Sequence, residues 1–209
     1  MGFDWNEVPG YRDAALRDAL ERETAFLVPP EFICGVPVKP FTLRHIQILR
    51  ALESPFFVGG IPTPIDCARF LWIVSPQFRE AASWRDRFMR WRFYRGLGKS
   101  HVNYGEALGQ IRDYLALAFR ESPGSDGRPA AESYWSFSAS VIDAMASGYG
   151  WTAPQIMATP LRQIFQLMKV SRKRNNPEAP MFSYHAGCVK NKYRRERNER
   201  MKAQCQTTQ

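Results

Sequence analysis

Residues 135–174 read WSFSASVIDAMASGYGWTAPQIMATPLRQIFQLMKVSRKR, and this stretch restricts local structure more than any other part of the chain. A helical run meets the corner Gly148-Tyr149-Gly150-Trp151, and a second start signal follows at once. Thr152, with Pro154 and Gln155 behind it, has the spacing of a capping box and predicts a one-turn helix. Thr159 followed by Pro160 predicts the cap and first position of the next helix. Leu161, Ile164, Phe165 and Met168 then fall at i, i+3, i+4 and i+7, so they share one face. The prediction is a helix-corner-helix unit. Ser/Thr-Pro pairs recur at Thr63-Pro64 and Ser75-Pro76, but without a fixed period, so no repeat is expected.

The same cues extend along the chain. Residues 11–23 predict a short charged helix with Ala14, Ala15, Leu16, Ala19 and Leu20 on its apolar side. Residues 31–40 predict a small hairpin, two β-favouring runs around Gly35, with Pro37 confined to an edge. Thr42 caps a helix that turns Leu43, Ile46 and Leu49 inward and ends at Ser54-Pro55. Residues 65–74 are apolar nearly all round and predict the central core helix. Ser75-Pro76 predicts a further helix to about residue 94, ended by Gly96-Leu97-Gly98. Residues 104–120 predict another, with Leu108, Ile111, Leu115, Ala118 and Phe119 inward. ESPGSDGRPA, residues 121–130, reads as the most flexible internal loop. The fold class is therefore all-α, six or seven helices with one small β-hairpin near residues 31–40. Three parts are expected: an N-terminal helix and lead-in (1–30), a helical domain (31–174), and a basic C-terminal tail (175–209), helical or disordered over 189–202.

A hydrophobic fraction of 44% and an aromatic fraction of 13% belong to a packed protein rather than a disordered one. The net charge is +9, unevenly spread. Residues 169–209 hold eleven Lys or Arg against three Glu, and residues 79–99 hold seven basic side chains against two acidic. Cys34, Cys67, Cys188 and Cys205 are far apart and form no CxxC, which fits a reducing compartment. The first residues show no basic start before an apolar core, so no signal peptide is expected. The longest apolar run, residues 70–74, is too short to cross a bilayer, and no membrane partner is expected.

Catalytic patterns are missing. G-x-S-x-G, G-x-G-x-x-G, HExxH and the Walker A pattern do not occur, and the carboxylates do not pair on one helix face. His45 and His101 stand alone. His185 and Cys188 form H-x-x-C, two ligands where zinc wants four. The expectation is no catalytic residues, no metal, no cofactor and no enzyme activity.

Two basic segments remain. In WRDRFMRWRFYR, Arg85, Arg87, Arg90, Arg92 and Arg95 alternate with aromatic rings. One reading is nucleic-acid contact, guanidinium on phosphate and ring on base. The other is an amphipathic helix that buries Trp84, Phe88 and Trp91, and the helical spacing of those rings favours it. Lys190, Lys192, Arg194 and Arg195 carry the same choice in the tail, between nucleic acid and a solvated or protein-binding helix with pairs such as Arg195 and Glu199.

Several segments match a known pattern in order. They are Val36-Pro37-Val38-Lys39-Pro40-Phe41-Thr42-Leu43, then Ser54-Pro55-Phe56, then residues 66–72 leading into Ser75, and later Gly150-Trp151-Thr152 with Thr159-Pro160-Leu161-Arg162-Gln163. Over residues 31–174 the chain resembles tail assembly chaperones of long-tailed bacteriophages and prophages; the basic tail lies outside the match. The resemblance implies a non-enzymatic protein of the host cytoplasm. It would coat the helical tape measure protein before the tail tube polymerises, with the tail tube protein and further copies of itself as other partners. A groove lined by Leu161, Ile164, Phe165 and Met168, with Trp151 at its rim, would then cover the client's apolar stripe. A small basic protein binding DNA or RNA through the two arginine-rich segments is the alternative, and a virion structural subunit, in the tail or connector, is a third.

Overall fold

The computed structural model describes residues 4–27, 29–80, 83–99, 103–120, 136–178 and 183–207. Helices dominate, with one two-stranded antiparallel sheet. Among the described residues there are ten α-helices and a 3-10 turn, more than the six or seven helices expected. The excess lies in short or terminal elements. Ser54-Pro55, expected only to stop a helix, also starts a four-residue one, because Pro at a first helical position gives up an amide that has no partner there. The loop expected at residues 121–130 lies outside the described residues.

Two compact units form, and they cut the chain differently from the three parts expected. The larger comprises Val28–Phe119 and Ala131–Ile164; the smaller comprises Met1–Leu27, Arg120–Ala130 and Phe165–Gln209.

The larger unit opens with β1 (Glu31–Ile33) and β2 (Val36–Val38), paired with Ile33 opposite Val36. The two-residue turn between them has φ of 49° at Cys34 and 75° at Gly35, the doubly positive geometry that suits the twist of a tight hairpin. The strap Lys39–Thr42 follows, then α2 (Leu43–Ala51), α3 (Pro55–Val58) and α4 (Pro64–Val74). Capping boxes start α2 and α4, from Thr42 with His45 and from Thr63 with Asp66. As expected, α4 is the central helix: Cys67 and every residue from Phe70 to Val74 are buried. The helices α5 (Trp84–Lys99), α6 (Tyr104–Phe119), α7 (Phe137–Tyr149) and α8 (Ala153–Ala158) complete the unit with the first turn of α9 (Leu161–Asn175). Gly150, at φ 67°, closes α7 in the left-handed region.

Several expectations need correction. Thr159 does not cap α9. Its hydroxyl donates back to the Gln155 carbonyl (2.8 Å), and the Pro160 carbonyl takes the first α9 amides, from Gln163 (3.0 Å) and Ile164 (3.1 Å). Ser75 does not open a helix either: its hydroxyl bonds the Trp72 carbonyl (2.8 Å) and closes α4. Helix α5 starts later, behind Ser83, and runs through Gly96-Leu97-Gly98. On α6 the buried stripe is Ala107, Ile111, Tyr114 and Ala118 rather than the leucines.

In the smaller unit, a 3-10 turn (Trp5–Glu7) precedes α1 (Tyr11–Thr24), which packs beside α10 (Tyr184–Thr207). The expected apolar side of α1 is wrong in part: Leu16 and Leu20 are exposed, while Asp18 is fully buried. Its carboxylate accepts the amides of His185 (3.0 Å) and Ala186 (2.9 Å). Those amides sit at the start of α10, where no intrahelical acceptor exists and a negative charge is favoured.

Two outcomes follow from these caps. The Nδ1 atom of His45 accepts the Thr42 amide (3.1 Å), so it must be unprotonated, and burial with help from Lys39 pushes the imidazole down to about 4, against a smaller opposing pull from Glu80. The unfolded chain takes up the proton from about pH 6.5 downward and the folded chain refuses it until about pH 4, so stability is full above this window and falls through it. Urea unfolding should therefore show His45 costing about 2 kcal/mol between pH 7 and pH 5, and His45→Gln, which can still accept at that position, should remove this component. Asp18→Ala should lower the unfolding free energy by about 1–3 kcal/mol in the same assay by stranding two buried donors, with Asp18→Asn losing less.

Candidate functional site

Helix α5 is anchored at its start by Ser83 and Asp86. The Asp86 carboxylate accepts the Ser83 amide (3.1 Å), and the Asp86 amide donates to Ser83 Oγ (3.2 Å). The Ser83 hydroxyl also donates to the Asp86 carboxylate; that bond first, and then the one from the Ser83 amide, hold the carboxyl of Asp86 below its usual range, with Arg79 and Arg85 adding to the effect. The inner face then docks through Phe93, whose ring meets Trp72 of α4 at 5.2 Å and 60°; Trp72 meets Phe78 at 6.2 Å. Met89, Phe93 and Leu97 border a cleft of about 540 Å³ that also touches the hairpin turn and Ser75–Gln77.

The outer face is the unexpected one. Trp84, Phe88 and Trp91 are 77%, 51% and 53% exposed, so the stripe expected in the core lies outside it. The rings of Phe88 and Trp91 lie 5.9 Å apart at 32°, and the Arg95 guanidinium sits 5.2 Å over the Trp91 ring. Arg85, Arg87, Arg90, Arg92 and Arg95 are all exposed, and no ion pair among the described residues engages them. Asp86 is the sole acid on the helix, and it is occupied by its cap. Sequence spacing identified the stripe but not its direction. Phe93 and Leu97, opposite it, are also apolar, and only tertiary packing decides which side docks.

The other candidates fare differently. Leu161, Ile164 and Phe165 are fully buried and Met168 is half-buried, so the stripe proposed as a groove serves this chain's own cores. Leu161 and Ile164 belong to the larger unit, Phe165 and Met168 to the smaller. Trp151 is half-buried with its ring 6.1 Å from Tyr149. On α10, Lys190 Nζ stands 5.0 Å from the Trp5 ring and 5.1 Å from Tyr11, and Arg194 stands 5.6 Å over Trp5. Lys192 and Arg195 point to solvent, and no ion pair joins Arg195 to Glu199 among the described residues.

The histidines are engaged structurally. His185 Nε2 contacts Glu21 Oε1 at 2.9 Å, and the same oxygen receives Arg120 at 2.6 Å. Sequence reading missed this cluster, and its one signal was Asp18 set among the alanines of α1. His45 lines a cleft of about 500 Å³ with Lys39, Arg44, Phe78 and Glu80, but Arg44 and Glu80 are already paired there. His101 lies outside the described residues. Among the described residues no group of three His, Cys, Asp or Glu is placed to hold a metal, and no helix is long and apolar enough to cross a membrane.

No protein-family model, curated protein or solved structure matches the chain.

If α5 presents its rings to solvent, removing them should barely affect folding. Trp84→Ser and Trp91→Ser should each change the unfolding free energy by less than about 1 kcal/mol, whereas Trp72→Ala should cost about 3–5 kcal/mol. Urea denaturation of the three variants checks the contrast.

Proposed function

We propose that the chain is a non-enzymatic assembly chaperone of the long-tailed phage type, holding the helical tape measure protein in the host cytoplasm until the tail forms. The observation that carries this reading is the stripe of large aromatic side chains standing in solvent on a capped, anchored helix. Such surface is rare on a protein with no partner and marks an interaction site. Trp and Arg, the residues concentrated here, are also those that dominate binding energy at protein interfaces. The segments that carry the resemblance to tail assembly chaperones include those forming the hairpin, the strap, α2, α3 and α4, a packed body that holds α5 through Trp72. On this reading the docking surface is on α5 rather than on α9, where Leu161, Ile164 and Phe165 are buried.

Five arginines on the same helix favour a second reading, nucleic-acid binding. Salt separates the two. Nucleic-acid affinity falls steeply as salt rises, while an apolar contact holds or strengthens.

Co-expression with a phage tape measure protein tests the proposal. The full chain should keep that client soluble and retain it on a column at 0.5 M salt, and a Trp84→Ser, Phe88→Ser, Trp91→Ser variant should lose it. Equal retention by the variant would move the docking surface elsewhere. Failure of the unaltered chain to hold the client, with salt-sensitive retention of DNA, would favour the second reading.

A further inference from the structure

Taking α5 as the docking helix, we infer that its partner is an acidic amphipathic helix laid along a coiled-coil-like seam, and that the same charges reject a second copy of this chain. The inference rests on the assembly-chaperone reading and names the chemistry of the client at that site.

The seam follows from spacing. Trp84, Phe88, Trp91 and Arg95 are separated by 4, 3 and 4 residues, the alternation of the core positions of a heptad. Their exposure puts the seam outward, while Phe93 keeps the opposite face on Trp72. The positions flanking a heptad core set partner choice by charge. On one side of this seam they are Arg85 and Arg92; on the other they are Arg87 and Tyr94. Three of the four are cations, and none is an acid.

A partner helix must therefore offer apolar side chains at i, i+3/4 and i+7 with Asp or Glu beside them. A second α5 would bring arginine-lined flanks together with no acid to offset them, so self-pairing through this helix is disfavoured. Part of the geometry also favours a helix over a nucleic acid. Trp91 lies 5.9 Å from Phe88 and has one face under the Arg95 guanidinium at 5.2 Å, which leaves less room for a stacked base there, while Trp84 stands open. The three rings form a ridge that a row of side chains can straddle. With 16 residues, α5 is about 24 Å long, enough for two heptads of contact.

Fluorescence anisotropy with the full chain tests this using three labelled probes: a 21-residue peptide with a leucine seam and Glu flanks, the same seam with Lys flanks, and a 20-nucleotide oligo-dT. The Glu-flanked peptide should bind about tenfold more tightly than the Lys-flanked one at 0.15 M salt. Arg85→Glu, Arg87→Glu and Arg92→Glu together should invert that preference, and Trp84→Ser with Trp91→Ser should abolish binding of both peptides. Equal affinity for the two peptides, with tryptophan dependence intact, would overturn the charge selection and leave α5 as the docking helix. Peptide binding that survives loss of both tryptophans would overturn the seam and the docking helix together. Tighter binding of oligo-dT than of the Glu-flanked peptide would overturn the inference in favour of nucleic acid.

Discussion

The larger unit depends on where Phe41 sits. Its ring lies within 6.2 Å of five others, those of His45, Phe57, Phe70, Tyr114 and Phe119, contributed by α2, α3, α4 and α6. The backbone around it is tied as thoroughly. The Lys39 amide donates to the Val74 carbonyl (2.8 Å), Tyr114 Oη donates to the Lys39 carbonyl (2.5 Å), and the Leu161 amide donates to the Phe41 carbonyl (2.8 Å). Four residues of strap thus fix the end of α4, the middle of α6 and the start of α9. Burial pushes the Tyr114 hydroxyl pKa up, so it stays a donor to that carbonyl across any ordinary pH.

That arrangement also sets where α5 docks. Helix α4 packs against the strap, α2 and α6, and Trp72 near its end meets Phe93 of α5. One face of α5 is held there, and its second aromatic stripe, Trp84, Phe88 and Trp91, stays exposed among the described residues. A ridge held on a firm base is suited to gripping another helix.

Much of this was legible in the sequence, and the misses share a cause. Thr42, Thr63, Thr152 and Gly150 announced their helix ends correctly because capping is decided within a few residues. The buried helix α4 was legible because apolar residues surround it. What spacing could not supply was direction. Helix α5 has two apolar stripes, and α1 has leucines that face out while Asp18 faces in to meet the open amides of α10. Thr159 and Ser75 were misread for a related reason: a hydroxyl before proline can cap the next helix or close the last one, and both did the latter. The directions of α5 and α1 are set by neighbours distant in sequence, Trp72 and the start of α10.

The net charge of +9 carries less information than its distribution. The C-terminal segment holds much of it, yet the structure gives two of its four candidate cations a use: Lys190 and Arg194 lie on the Trp5 ring and help hold α10 beside the N-terminal segment. Arg120 is likewise occupied, by Glu21. Arg95 is stacked in the same way on Trp91, but Arg85, Arg87, Arg90 and Arg92 of α5 differ because the one acid on their helix is bound to Ser83 and the rings beside them are already exposed. A cation already stacked on a ring of its own chain has part of its attraction satisfied, so it adds less to a partner's binding than one held ready in solvent. Ranked in this way, the tail reads first as scaffold, and α5 combines exposed arginines with exposed aromatic rings.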